Sequence, residues 1–179
     1  DHLLLIAALL ATAPPAASHP DALRDEYHKV LRQVRSFEPD CVVRGQYHGY
    51  PDEEGVQAGS DTETYIALRT EIDSWRWAGV PWLIRTGKDL AVTATEAVIQ
   101  FKAPPRLLFT DEDLRPSANK LRFRLGANDG VTLHMHSKAP GEALATKSTD
   151  LDVDYEHVFG SRQEAYERLI GDALEGNAR

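Results

Sequence analysis

The sequence contains very little cysteine and lacks the common motifs of nucleotide-binding and nucleophilic enzymes. Cys41 is the only cysteine among 179 residues, which excludes an intramolecular disulfide and any zinc site made of several cysteines. No Gly-x-Gly-x-x-Gly motif, P-loop or Gly-x-Ser-x-Gly elbow is present. The chain therefore carries no motif that would cradle a nucleotide, and a buried structural thiol is the simplest role for Cys41.

Positive charge is scarce too, and long apolar runs are absent. The 20 Lys and Arg residues are outnumbered by 28 Asp and Glu residues, which gives a net charge of −8. This balance disfavours binding to the phosphate backbone of nucleic acids, which requires clustered Lys and Arg. The apolar run Leu3–Leu10 is far shorter than the roughly 20 residues that span a bilayer. We therefore expect a folded cytoplasmic protein with no nucleic-acid partner and no membrane partner.

The first twenty residues combine a short apolar run with small residues and prolines, as a secretory signal peptide does. Asp1 and His2, however, stand where such a leader carries Lys or Arg. We favour a buried helix over Leu3–Leu10 in a chain that begins in mid-fold, with a signal peptide as the alternative. The segment Asp21–Arg35 has apolar residues at helical spacing and predicts a second helix, which Pro39 ends.

In most of the rest of the chain, apolar and polar residues alternate, as in strands with one solvent-exposed face. After a short strand at Cys41–Tyr47, the alternating segments are Thr62–Ile72, Val80–Thr86, Thr95–Lys102, Leu121–Leu125, Val131–His136 and Leu151–Tyr155. Between these strands, the sequence predicts a turn at Gly87–Lys88 and a hairpin at Asn128-Asp129-Gly130. At the end of the chain, Ser161–Leu174 predicts an amphipathic helix. The pattern predicts an α+β fold for residues 1–179 as one domain: a large, mainly antiparallel sheet with helices packed on one face and at the chain ends.

Two positions carry candidate chemistry. Lys88 follows Arg85 by three residues where a strand ends in a tight glycine turn, so the two cations are placed to receive a phosphate or a polyol. The alternative is an ordinary solvated loop lysine. His2 begins an apolar helix, where an isolated histidine usually serves as a cap or as a hydrogen-bonding residue of the core.

Three further groups have both a functional and a structural interpretation. His134 and His136 share one strand face and form half of a metal site, or are ordinary surface histidines. The Trp75–Trp77 segment is an aromatic platform for a ligand, or packs in the core with a cation–π contact from its arginine. Arg122 and Arg124 form an anion site, or the solvated face of a strand. No third ligand near the histidines is evident, so we predict no metal.

Short motifs along the whole chain occur together, and in the same order, in one known family. The matching residues include Asp1-His2-Leu3-Leu4, Leu23-Arg24-Asp25-Glu26, Val43-Arg44-Gly45-Gln46-Tyr47, Thr62-Glu63-Thr64, Ile72-Asp73-Ser74-Trp75-Arg76-Trp77-Ala78-Gly79-Val80-Pro81, Leu83 to Lys88, Phe159-Gly160 and Ala165-Tyr166-Glu167-Arg168-Leu169. These motifs resemble those of the glucose-6-phosphate dehydrogenases. The resemblance covers only the C-terminal β+α part of that family, because the dinucleotide-binding domain is not in this sequence.

The resemblance implies a function for the parent enzyme: oxidation of glucose 6-phosphate to 6-phosphogluconolactone with NADP, in the pentose phosphate pathway. It also implies that this part forms a homodimer through its sheet and supplies one wall of the sugar-phosphate site. NADP would be bound by the absent N-terminal domain, so the chain alone would be inactive. The alternative is a non-catalytic dimerisation or regulatory module descended from the enzyme.

The resemblance assigns roles to two residues and exposes several departures. His2 falls on the general base that takes the proton of the sugar's C1 hydroxyl, and Lys88 falls on a substrate-binding lysine. Thr93, however, replaces a second basic substrate contact, and Gly126 replaces a substrate-binding glutamine. Ala94 and Val98 stand at basic positions of a structural NADP site found in eukaryotic relatives, so we predict no structural NADP here.

Overall fold

The computed structural model describes residues 2–105, 117–126, 128–141, 145–160 and 165–176. The helices in these ranges are α1 His2–Ala11, α2 Pro20–Leu31, α3 Tyr155–Phe159 and α4 Ala165–Leu174. The strands are β1 Val42–Gly45, β2 Tyr65–Thr70, β3 Trp82–Gly87, β4 Thr95–Gln100, β5 Lys120–Leu125, β6 Gly130–Lys138 and β7 Thr146–Asp154. The chain divides between Ala91 and Val92 into two compact units.

The first unit is built on an antiparallel sheet with the strand order β1-β2-β3. Helices α1 and α2 pack together, and their apolar residues join those of the sheet in one small core. Its buried residues are Ala8, Ala11, Val30 and Ile72. Because the side chains of the two alanines are small, α2 and the sheet can approach α1 closely at these positions. Helix α1 is apolar all round, but only the side that carries the two alanines is buried.

Helix α2 ends earlier than its apolar spacing predicts. The predicted segment Asp21–Arg35 is helical only to Leu31, because the residues that follow pair with the residues just after β2. Val34 forms a β-bridge with Ile72, and the N–H of Arg35 donates to the carbonyl oxygen of Glu71 at 3.0 Å. This long-range backbone pairing replaces the last turn of the predicted helix.

The second unit is an antiparallel meander with the strand order β4-β5-β6-β7. Neighbouring strands pair in register, with Leu121 opposite Leu133 and Leu133 opposite Leu151. In β5, in most of β6 and in the second half of β7, odd-numbered positions therefore form an apolar face and even-numbered positions a polar face. The hairpin predicted at 128–130 joins β5 to β6, although Ala127 lies outside the described residues.

The predicted α+β class and the antiparallel pairing are confirmed, but the strands are distributed over two sheets instead of one. Val80–Thr86 and Thr95–Lys102 do not form a hairpin across Gly87–Lys88, because β3 pairs with β2 and β4 pairs with β5. Strand β7 begins at Thr146, earlier than the predicted Leu151. Of the predicted closing helix, residues 161–164 lie outside the described residues. In the described part of the chain, no helix has the length and apolar character needed to cross a membrane.

Candidate functional site

His2 is the first residue of α1, in the first unit. At the C-terminal end of the helix, the carbonyl oxygen of Ala11 accepts a hydrogen bond of 2.8 Å from Nε1 of Trp77, which precedes β3. Further back along the helix, Leu4 lines the same small apolar cavity as Ile84 of β3. The C-terminal end of α1 thus lies near Trp77, and the middle of the helix lines one apolar cavity with Trp82 and Ile84 of β3.

Lys88 directly follows β3. Gly87, the last residue of β3, is paired with Tyr65, and the N–H of Lys88 continues the ladder by donating to the carbonyl oxygen of Thr64 at 2.8 Å. Because side chains alternate along a strand, Lys88 falls on the same face as Ile84, the face that α1 covers. The structure thus places Lys88 directly after β3 and His2 at the start of α1, both within the first unit.

Both side chains are exposed, and neither forms a hydrogen bond or an ion pair with the other described residues. His2 is therefore not a hydrogen-bonding residue of the core. An unpaired lysine at a strand end presents three N–H donors on a compact cation, which suits an anion or the oxygens of a sugar. An exposed neutral imidazole presents an acceptor nitrogen for a proton.

The Trp75–Trp77 segment packs as the structural interpretation predicts, except at its first residue. Trp77 packs edge-to-face on Trp82, with ring centroids 5.1 Å apart. The guanidinium of Arg76 lies 5.4 Å from the ring centroid of Trp77, which is a cation–π contact. Trp75, in contrast, is fully exposed. Core packing with a cation–π contact is thus confirmed for Trp77, and Trp75 takes no part in it.

The arginine pair of β5 has carboxylate partners within its own sheet. Arg124 Nη1 lies 2.6 Å from Oδ1 of Asp152 and also contacts the hydroxyl of Thr132. Hydrogen bonds from Arg124 and Thr132 lower the pKa of Asp152, and the aspartate in turn raises the pKa of Arg124. Arg122 Nε lies 3.6 Å from Oε2 of Glu96. These ion pairs favour the structural interpretation of the two arginines over an anion site.

His134 and His136 are directed to different partners. Nδ1 of His134 lies 2.7 Å from Oδ1 of Asp150, and Nε2 of His136 lies 2.8 Å from the hydroxyl of Ser117. Among the described residues, no group of three or more potential metal ligands comes together. The arrangement favours a structural role for both histidines, which are half-buried and each bonded through one ring nitrogen.

Sequence reasoning missed the role of Arg35, which it placed at the end of a helix. Arg35 Nη1 lies 2.6 Å from Oε2 of Glu71, and its Nε donates to Asp73 at 2.9 Å. The hydrogen bond from Arg35 lowers the pKa of Asp73. Arg35 thereby anchors the connection that carries Trp77 to the end of α1. The signal was weak, because one charged residue beside a helix is common.

Comparison with known proteins agrees with this architecture. The family model described as "Glucose-6-phosphate dehydrogenase, C-terminal domain" matches residues 1–179, and the chain therefore belongs to that family. It is 39% identical over 193 residues to glucose-6-phosphate 1-dehydrogenase of Aggregatibacter actinomycetemcomitans, covering 99% of this chain and 38% of the relative. The enzyme of Dictyostelium discoideum is 37% identical over 187 residues, covering 99% of this chain and 37% of the relative.

Solved structures show the same likeness. Glucose-6-phosphate 1-dehydrogenase from Mycobacterium avium superposes with a TM-score of 0.86 at 37% identity, covering 99% of this chain and 37% of that one. A glucose-6-phosphate dehydrogenase in complex with its substrate, glucose 6-phosphate, gives a TM-score of 0.85 at 35% identity, covering 99% and 38%. The chain thus spans less than half of the length of these relatives. The predicted family and the restriction to its C-terminal part are confirmed, whereas the roles of His2 and Lys88 remain predictions.

Proposed function

We propose that this chain is the substrate-side and dimer-forming part, residues 1–179, of a cytoplasmic glucose-6-phosphate dehydrogenase. The whole enzyme would oxidise glucose 6-phosphate to 6-phosphogluconolactone in the pentose phosphate pathway. The observation that carries the proposal is the family match along the full chain. His2 and Lys88 belong to the same unit and both side chains are exposed, which supports their access to a substrate.

Each of the two residues has a distinct task in this reaction. The neutral imidazole of His2 accepts the proton of the C1 hydroxyl, so that the C1–O bond becomes the carbonyl of the lactone as hydride leaves C1. Lys88 donates charge-assisted hydrogen bonds to the phosphate or to sugar oxygens and orients the substrate. NADP, held by a dinucleotide-binding domain outside this sequence, supplies the hydride acceptor. We infer no structural NADP on this chain, which the pairing of Arg124 with Asp152 supports.

Substrate binding by the chain itself tests the proposal. Calorimetric titration with glucose 6-phosphate is expected to show binding that Lys88→Ala weakens about tenfold or more, because a hydrogen bond to a charged group contributes roughly 1.5–3 kcal/mol. Lys102→Ala, which removes another exposed lysine, is the matched control and should bind as the wild type does. Absence of binding by the wild type, or equal weakening by both substitutions, would contradict the role of Lys88.

A second test concerns chemistry. The purified chain mixed with glucose 6-phosphate and NADP should give no coenzyme reduction, because no motif for the dinucleotide is present. Reduction that disappears in His2→Ala would show that the chain is a complete enzyme and would overturn this part of the proposal.

One observation favours a second candidate, a non-catalytic dimerisation or regulatory module. Gly126 stands where the resemblance places a substrate-binding glutamine, and its φ is +132°, a conformation that side-chain-bearing residues rarely adopt. A glutamine could not take that backbone conformation without strain. Together with the neutral Thr93, this weakens the case for an intact sugar-phosphate site.

Thr93→Lys discriminates between the two candidates without disturbing the glycine. A gain of about tenfold in affinity for glucose 6-phosphate supports a substrate site that has lost one cation. No binding by either the wild type or Thr93→Lys, in a chain that still forms dimers, supports the regulatory module. Phosphate alone serves as the control for non-specific attraction to the added charge.

A further inference from the structure

The backbone that carries Lys88 is packed against one aromatic ring. Tyr65 and Gly87 lie opposite each other in the β2–β3 ladder, and the half-buried ring of Tyr65 occupies the space beside the glycine. A Cβ at Gly87 would lie 2.7 Å from Cδ2 of Tyr65 and 3.4 Å from Cδ2 of Leu90. Only glycine allows the ring to lie this close, so ring and glycine act as one unit.

The turn after Gly87 is defined on both sides of Lys88. Before it, the ladder is closed by the hydrogen bond from the N–H of Lys88 to the carbonyl oxygen of Thr64. After it, the chain bends and Asp89 adopts a φ of +50°, in the left-handed region. Leu90 then returns to Gly87, on which the Tyr65 ring also packs. The backbone around Lys88 therefore has little conformational freedom, although a glycine at the end of a strand would otherwise be flexible.

We propose that Tyr65 is the positioning residue for Lys88. The inference rests on the proposed function of Lys88 as a contact for a sugar phosphate. Tyr65 is paired with Gly87, so its side chain lies on the face opposite to that of Lys88 and does not itself contact a ligand there. It acts through the backbone: the ring fixes Gly87, and Gly87 fixes the position from which the ammonium of Lys88 reaches the anion.

The experiment compares Tyr65→Ala with Tyr65→Phe in the full chain, with two readouts. Amide hydrogen exchange reports whether the N–H of Lys88 stays bonded to Thr64, and calorimetry reports the affinity for glucose 6-phosphate. Tyr65→Ala should accelerate exchange at Lys88 and weaken binding, each by about tenfold. Tyr65→Phe keeps the ring and should retain both wild-type values.

A matched control separates this effect from general loosening of the sheet. Leu83 lies on the same face as Tyr65 at the other end of β3, opposite Arg69, and is exposed. Leu83→Ala should change neither readout at Lys88. If Tyr65→Ala unfolds the chain, Tyr65→Leu keeps an apolar side chain without the flat ring and takes its place in the same comparison.

The outcomes distinguish this inference from the function on which it rests. Wild-type exchange at Lys88 in Tyr65→Ala overturns the positioning role, whatever the ligand does. Faster exchange with unchanged affinity for glucose 6-phosphate overturns it as well, because Lys88 would then bind without a fixed turn. If neither the wild type nor any variant binds glucose 6-phosphate, the proposed function fails. Faster exchange at the N–H of Lys88 in Tyr65→Ala alone would still establish that Tyr65 fixes the turn.

Discussion

Arg124 on β5 reaches across β6 to Asp152 on β7, with 2.6 Å between Nη1 and Oδ1. The guanidinium passes over Gly130, the first residue of β6, where a Cβ would lie 2.5 Å from Nη2 of Arg124 and would collide with the carbonyl oxygen of Val153. The absence of a side chain at Gly130 therefore permits an ion pair between strands that are not neighbours. One contact ties three strands of the second unit together.

Gly130→Ala should destabilise the chain by about 1–3 kcal/mol, because the new methyl group must displace either the guanidinium or backbone. Gly45→Ala is the matched control, since Gly45 also lies in a strand but has open space where its Cβ would be. Urea unfolding of the two variants and the wild type measures the difference. Equal midpoints for Gly130→Ala and the wild type would show that the ion pair does not depend on the glycine.

The Arg124–Asp152 ion pair predicts a pH dependence of stability. The folded pKa of Asp152 is lowered by hydrogen bonds from Arg124 and Thr132, from an ordinary value of 3.8. A carboxyl with a lowered folded pKa stabilises the fold fully above its ordinary pKa, and this stabilisation is lost as the pH falls through the folded value. Asp152→Asn should therefore unfold more easily at neutral pH and lose less stability below pH 3.8 than the wild type does.

Urea midpoints measured from neutral pH to below 3.8 test this expectation. Asp52→Asn removes a carboxylate from the connection between β1 and β2 and serves as the control. An acid-induced loss that is as steep in Asp152→Asn as in the wild type would show that other carboxylates account for it.

The two tryptophans of one short motif should respond oppositely to truncation. Trp77→Ala removes a ring that packs on Trp82 and a hydrogen bond to the carbonyl oxygen of Ala11, so it should cost at least about 2 kcal/mol. Trp75→Ala removes a fully exposed ring and should stay within about 0.5 kcal/mol of the wild type. Denaturant unfolding of both variants decides the matter, and equal costs would contradict the packing described for Trp77.

Strands with one apolar face were predictable from the sequence, whereas strands that are polar on both faces were not. β5 and most of β6 follow strict alternation, and their positions were expected. The first half of β7, Thr146–Asp150, is polar on both faces, so nothing local marks it as a strand. It is held by pairing with β6, from His134 opposite Asp150 to Lys138 opposite Thr146. Such pairing is a long-range property that a local pattern does not contain.

The same limit applies to the candidate site. His2 and Lys88 were candidates from their local sequence, and only the resemblance of their motifs gave each of them a specific role. Tyr65 has no such signal, because an aromatic residue in an alternating strand is ordinary. Its role depends on the glycine opposite, Gly87, and the register of β2 against β3 cannot be read from either segment alone.

The apolar face of the second sheet leads to a prediction about the proposed homodimer. Leu151 and Val153 of β7 lie on that face, opposite Leu133 and Val131 of β6, and remain 55% and 43% exposed. If the sheet joins two copies of the chain, Leu151→Asp places a charge in the interface and should raise the dimer dissociation constant at least about tenfold, since each 1.4 kcal/mol changes it by that factor.

Sedimentation equilibrium of the wild type, Leu151→Asp and Ser148→Asp measures this effect. Ser148 lies on the polar face of the same strand, opposite His136. Ser148→Asp therefore introduces the same charge away from the proposed interface. A dimer that dissociates in Leu151→Asp but persists in Ser148→Asp locates the interface on the apolar face. A monomeric wild type would show that the sheet of this chain does not form a dimer. Equal dissociation of both variants would exclude the apolar face as the interface, because a charge there would have no more effect than a charge on the polar face.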